Sequence, residues 1–541
     1  MYMQSKNHIV IRIASVLVAS MAMISAGAAT LQSQAVGQRP SLVVGIVVEG
    51  LDEEYVKLLR DHFGDGGFNR LMRDGVTIEN IDYGPGLDAT AAAALVMTGA
   101  SPSVNGVPAS TVYDVVTRTE HPVLNTSTTS TSMSKGYTPA LLLVSTLADE
   151  VRITEDGLNQ VHSIAADPQM AIVLGGHAAS SAFWIDDVTG KWTTSSYYRE
   201  TPTVISRHNF AKPLSLRIDT VAWAPSMDLS RYPDLPEHKK FYPFRYTFPK
   251  RDPQSFKAFG ASAVGNREVT DVAVDYITEL GLGTRNVTDM VNIGLTVAPY
   301  KYGSQSDNRI ETMDAYLRLD SDIARIMKAV DSTTGMGHAV VFIAGTPAPA
   351  ARKRDDEKWR IPTGRFSPRM ATSLLNMYLM AIHGNGEYVS GFHNGYFYLN
   401  HNLIKERGLD AASLRKQSAD FLLRMSGVSR VFTIDDIVAR DAGDDPVALR
   451  RNTYFPQAGD LLVAVNPGWV ITDSPEDEVL APDVTAVSFA STMSPAWILA
   501  PQVEATTIGE VVDARSIAPT VSRILRIRSP NATSLPPLRI K

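Results

Sequence analysis

Not one of the 541 residues is cysteine. That excludes a disulfide framework, a thiolate metal site and a lipid-anchored signal cysteine. Positive charge is not in excess either: 51 Lys and Arg stand against 57 Asp and Glu, a net charge of −6, and the basic residues are scattered. Neither a nucleic-acid groove nor a patch for acidic lipids is indicated. GxSxG, GxxxxGK[ST] and HExxH patterns are missing, which removes the common serine-hydrolase, P-loop and zincin readings. There is no internal repeat, and beyond residue 29 no apolar run is long enough to span a membrane.

What is present begins with an export pattern. Lys6 and Arg12 flank the apolar run up to Ala28, and Ala26, Gly27 and Ala28 offer a small-residue cleavage site. Residues 1–29 are therefore expected to be a signal peptide, 30–40 a linker and 41–541 the mature domain. An uncleaved anchor fits less well because Arg12 interrupts the run. Export of a thiol-free chain suits a periplasm.

SLVVGIVV (Ser41–Val48) is a β-branched run of the kind buried on both faces of a parallel sheet, closed by Glu49. Helical patterns at 53–62 and 67–73 and a strand at 76–81 follow. Further apolar runs at Ala171–Gly176, Val291–Val297, Ala339–Gly345, Asp460–Val465 and Ala496–Ala500 read as core strands. Helical periodicity lies between them at 308–330, 367–381, 411–425 and 515–525. This alternation predicts a three-layer α/β/α domain with a mostly parallel sheet. The aromatic and proline-rich stretch at about 184–266 reads as an inserted cap, and Leu124–Gly136 as a polar surface loop.

Several strings in order, SLVVGIVVEG, FGDGGFNRLMRDGV, TGASPSVNG, GGHAASSAFWID, DAYLRLDSDIARIM, GFHNGYFYLN, AGDLLVAVNPGW and SIAPTVSRIL, resemble the alkaline phosphatase superfamily. The likeness is to its periplasmic phosphate-irrepressible branch, related to type I phosphodiesterases and nucleotide pyrophosphatases. The resemblance implies a phosphatase-like core and two zinc ions that activate a Thr or Ser nucleophile. Zinc needs carboxylate, imidazole or thiolate donors, about three from the protein per ion.

Carried over by resemblance, the first-strand ligand falls on Glu49, which keeps a carboxylate. The nucleophile falls on Ala89, with Thr90 one residue out of register. Other ligand positions fall on Pro299, Gly303, Thr346, Pro347 and a site near Val484, and none of these is a good zinc donor. The family's phosphate-gripping Lys and Arg fall on Asp167 and Gln169, and its Asn on Ser110. With the donors lost, the sequence predicts no metal and no cofactor, and positive charge is missing from the positions meant to hold phosphate.

The residues kept as binding candidates are Glu49, Asp88 and Thr90, with Asp88 also suited to cap a helix. His177, His383, His393 and His401 offer donors for a relocated metal but form no short ligand pattern. Tyr197, Tyr198 and the aromatics at 241–248 suit either a cleft or core packing, and Met377 and Met380 read as core. The expectation is an exported pseudoenzyme of the family with a binding or scaffold role; the alternative is an active phosphomonoesterase or phosphodiesterase with a rebuilt metal centre. No partner is indicated, which leaves a protein or a small molecule open.

Overall fold

The computed structural model describes residues 39–126, 136–233, 235, 243–303, 308–347, 362, 364–439, 444–466, 469–473 and 492–540. The signal-peptide segment, most of the 124–136 loop and Val484 lie outside these residues. The elements that matter below are, among strands, β1 (Leu42–Glu49), β2 (Val76–Asp82), β3 (Val161–Ala165), β4 (Ser181–Ile185), β5 (Trp192–Thr193), β6 (Asp289–Thr296), β7 (Ala339–Thr346), β8 (Val389–His393), β9 (Tyr396–Leu399), β10 (Val428–Thr433), β11 (Leu461–Val465), β12 (Met493–Leu499) and β13 (Thr506–Ile508). The helices are α1 (Ala89–Thr98), α2 (Pro168–Gly175), α3 (Ser255–Gly260), α4 (Ala263–Glu279), α5 (Arg309–Thr333), α6 (Pro368–His383), α7 (Ala411–Leu422) and α8 (Ile517–Leu525).

One ten-stranded sheet organises the unit Pro40–Lys541, in the order β13-β2-β12-β7-β1-β6-β3-β4-β5, with Val512–Asp513 also pairing with β2. β1, β3, β4, β6 and β7 run parallel, whereas β12 is antiparallel to both β7 and β2. β1 is buried along its length because its side chains alternate between two cores. Leu42, Val44, Ile46 and Val48 join the layer containing α4 and α5, and Val43 and Val47 join the layer containing α1, α2 and α8. Gly45 is needed in mid-strand: a Cβ there would lie 2.3 Å from the Asn292 amide oxygen and 2.6 Å from the Phe342 ring. The mostly parallel α/β core expected from the sequence is therefore the observed one.

Three expectations are corrected. Ala171–Gly176 is not a strand but most of α2, which starts at Asp167 as N-cap and Pro168 in the first turn. A short apolar run buried all round reads the same as strand or helix, and the neighbouring strands are β3 and β4. Asp460–Val465 does form a strand, but outside the main sheet: β11 belongs to a separate antiparallel sheet, β8-β9-β11-β10, with its own core under α6 and α7. Met377 is exposed, since the buried stripe of α6 is Ala371, Leu375 and Leu379.

Several aromatics between 184 and 266 pack inward, whereas Tyr197 and Phe210 are exposed. Trp192, Trp223, Phe244, Phe248, Phe256 and Phe259 are buried in the same layer as α4 and α5. Trp223 meets Tyr300 edge to face at 5.1 Å and donates its indole N–H to Asp314 at 2.7 Å. Tyr197 and Tyr198 donate to the carbonyls of His177 and Gly176, so both serve the end of α2.

Candidate functional site

β1, β6 and β7 are in register, so Glu49, Thr296 and Thr346 form one row across their carboxyl ends. Ligands of open α/β sheets gather at such ends. A cleft of about 290 Å³ lies there, walled by Glu49, the start of α1, the start of α2, residues of α3 and the turn at 298–302. A larger hollow of about 670 Å³ lies between His208, Arg217 and the outer face of α4, where Arg217 pairs with Glu268, Arg325 with Asp271 and His208 with Asp275; it lies away from the strand-end row. The smaller cleft is the candidate site.

The structure brings Glu49, Asp88, Ala89 and Thr90 together in this cleft, with Ser110, Asp167 and Gln169 beside them. Asp88 is the N-cap of α1: one carboxylate oxygen accepts the Ala91 N–H at 3.0 Å and the other accepts the Ser110 N–H. Its charge is therefore spent on holding the entry of α1 to the loop before Thr111. Removing the cap by Asp88→Ala is expected to cost about 1–2 kcal/mol in denaturant unfolding, while Asp88→Asn, itself a good N-cap, costs less. Behind the cap, Ala91, Ala92, Ala93 and Ala94 are wholly buried, which lets α1 approach α2 and the sheet closely. Gln169 is likewise committed, donating to the Ser110 carbonyl and accepting the Leu124 N–H. Thr90 is 6% exposed and lines the cleft, and among the described residues its hydroxyl has no hydrogen-bond partner.

Several lining residues escaped sequence reasoning. Asp187 follows β4, Lys257 sits on α3, Asn266 on α4, and Lys301 and Tyr302 in the turn after β6. Asn266 grips the strand end from both sides, donating to the Thr296 carbonyl at 2.6 Å and accepting its N–H at 3.0 Å. Positive charge thus does reach the cleft, from Lys257 and Lys301, although not from the expected positions. Asp187, Lys257 and Asn266 belong to the 184–266 stretch read as an inserted cap, and Lys301 lies between Pro299 and Gly303.

The electrostatics are those of crowded carboxylates. Burial pushes Glu49 up to about 7; Asp167 and Asp88 add repulsion, while Lys301 and the Thr296 hydroxyl oppose the shift. Asp187 is pushed up to about 6, again chiefly by burial and then by Asp167. Desolvation raises Asp167 too, with Asp88 adding a smaller repulsion, although the residue keeps contact with solvent and the Met170 N–H, donated to it at 2.8 Å, opposes the shift.

A pair of zinc ions held in the family manner does not fit these residues. Of the metal-ligand positions carried over, Glu49 alone offers a carboxylate; Pro299 and Gly303 supply no side-chain donor, and Thr346 has a buried hydroxyl without a partner. Among the described residues no three His, Asp or Glu side chains are grouped to hold a metal. The histidines are engaged elsewhere: His177 with Asp149 and the Leu142 carbonyl, His383 with Gln417, His393 with Thr111 and Glu120, His401 with Asp460. Among the described residues, no helix is long and apolar enough to cross a membrane.

Known proteins share the architecture. The chain is 26% identical over 517 residues to the alkaline phosphatase PhoV of Synechococcus elongatus, covering 92% of each protein. It is also 26% identical to the alkaline phosphatase PafA of Elizabethkingia meningoseptica, covering 91% of this chain and 93% of that one. The crystal structure of wild-type PafA superposes with a TM-score of 0.79 at 22% identity, over 92% of this chain and 98% of the other. These findings correct one expectation. The full-length likeness to alkaline phosphatases, whose superfamily works with zinc, points to a metal cofactor, so the expectation of none does not stand. Counting lost donors tested one inherited ligand set only, and carboxylates such as Asp187 were outside the count. The model of the type I phosphodiesterase/nucleotide pyrophosphatase family matches residues 43–490, and the chain belongs to that family.

Proposed function

We propose that this chain is an exported member of its family that has lost two-zinc phosphate-ester hydrolysis and keeps the strand-end cleft as a binding site. Export would proceed through residues 1–29, leaving a mature chain from about residue 30 with a linker at 30–40, a domain from residue 41 and an inserted region at about 184–266. The observation that carries the reading is the donor set. A transferring phosphoryl group needs metals, Arg or Lys around its oxygens, whereas this cleft sets Glu49, Asp88, Asp167 and Asp187 against Lys257 and Lys301. The test is release of nitrophenol from 4-nitrophenyl phosphate by purified protein supplied with zinc. No release above buffer is expected; turnover of about 1 s⁻¹ or faster, ordinary for an enzyme, would overturn the reading.

One observation favours the second reading, an esterase with a rebuilt centre. Thr90 presents an unbonded hydroxyl to the cleft that also holds Glu49, a carboxylate poised near neutrality. That reading requires turnover that rises with pH through about 7 and vanishes in Thr90→Val.

A further inference from the structure

After α8 the chain reverses at Arg526, a non-glycine residue in the left-handed region at φ 55°, and its last residues run back across the layer that holds α1. Residues 526–540 form no helix and, among the described residues, pair with no strand. Prolines at 530, 536 and 537 bring no N–H, so detaching the segment strands few backbone donors. It is held instead at separate points. Arg528 forks onto Glu150 with nitrogen–oxygen distances of 3.1 and 3.2 Å. Asn531 and Ser145 bond reciprocally: each backbone N–H donates to the other's side-chain oxygen, at 2.9 and 3.0 Å. The Thr533 hydroxyl donates to the carbonyl of Thr98, the last residue of α1, at 3.4 Å, and the Leu538 N–H donates to the Thr520 hydroxyl of α8 at 2.8 Å.

These attachments are of the kind that open first. Glu150 is 2% exposed, but the guanidinium that matches its charge is 71% exposed, so water competes for that pair. Ile527, Leu538 and Ile540 are only half-buried against the core. Few buried apolar contacts and solvent-accessible hydrogen bonds mark a segment that opens at less cost than the whole domain. The segment's hold on α1 reaches the cleft. At the C-terminal end of α1, α8 packs alongside, and Thr533 is so close that a Cβ on Gly99 would lie 2.9 Å from its hydroxyl. The other end of this ten-residue helix has Asp88 as its N-cap and presents Thr90 to the cleft. Independently of whether the cleft binds or hydrolyses, we propose that residues 526–540 are a releasable latch on α1. Docked, the latch fixes the cleft wall; released, with the sheet still folded, it lets that wall loosen.

The experiment is hydrogen exchange of the full-length purified protein, read by mass spectrometry on peptides covering α1, Ser110, residues 528–540 and the strands β1 and β6. In the wild type, the amides of 528–540 are expected to exchange roughly a hundredfold or more faster than those of β1 and β6. In the double variant Arg528→Ala/Asn531→Ala, exchange across 95–99 and at Ser110, whose N–H Asp88 accepts, should rise about tenfold or more, while β1 and β6 keep wild-type protection. A chain without cysteine allows the converse test. In Ser145→Cys/Asn531→Cys, whose backbones the reciprocal hydrogen bonds bring together, oxidation should form a disulfide and slow exchange across 95–99 below wild type, and reduction should restore it. A segment 528–540 as protected as β1, no rise at 95–99 or at Ser110 in the Arg528/Asn531 variant, or loss of protection throughout the sheet in that variant would each overturn the proposal. So would a cysteine pair that stays unlinked, or that links without slowing α1.

Discussion

Replacing Asp149 by Ala is expected to destabilise the protein by about 3 kcal/mol or more, the largest single effect foreseen from this structure. Asp149 is 2% exposed and serves as a hub. It closes a capping box with Thr146 at the start of the helix Leu147–Thr154, and it accepts the N–H groups of His177 and Ala178, both at 2.7 Å, as well as the His177 ring at 3.1 Å. Removing the carboxylate strands several buried donors at once. The hydrogen bond that the His177 ring donates to Asp149 holds the His177 pKa above its usual value. A histidine raised in this way stabilises the fold below pH 6.5, and that contribution fades as pH rises through its folded pKa. Denaturant unfolding and the NMR titration of His177 check both statements: Asp149→Asn should lower the His177 pKa while losing less stability than Ala. A histidine titration unmoved by the change would contradict the assignment of His177 to a structural role.

Glu49→Gln is expected to stabilise the protein at pH 8 by up to about 3 kcal/mol, because the carboxylate titrates near 7 in the fold instead of 4.5. The sign follows from the direction of the shift. A raised carboxyl pKa means that ionisation opposes folding, so the penalty is absent below pH 4.5, grows between 4.5 and 7 and is complete above 7. For a chain of this size the gain corresponds to a rise of roughly 3 °C in melting temperature, and wild type and variant should converge near pH 4. A variant no more stable than wild type at pH 8 would mean that Glu49 is better solvated, or better partnered, than its surroundings indicate.

Much of this was visible in the residues. β1, β6, β7 and β12 each carry an apolar run whose length and β-branching leave few other outcomes, and Glu49 at the end of β1 marked the site. The α2 segment shows the limit. Its apolar residues say only that it is buried, and the decisive signal was the Asp167-Pro168 pair in front of it, a helix start that was used instead to locate a missing lysine. The other side of the cleft was hidden for a different reason. Asp187, Lys257 and Lys301 come from separate connections, and only the stacking of α3 and the 298–302 turn over the strand ends makes them neighbours. Their chemistry was present in the sequence, but their meeting depends on the tertiary fold. The β11 strand was readable as a strand, yet its membership of the second sheet depends on pairing partners that no local pattern encodes.

The central claim is the proposal that this cleft no longer turns over phosphate esters. The most direct measurement is release of phosphate from phenyl phosphate by the purified protein supplied with zinc, wild type beside Thr90→Val. The account predicts release no faster than in buffer from either protein; turnover of about 1 s⁻¹ or faster that Thr90→Val abolishes would contradict it.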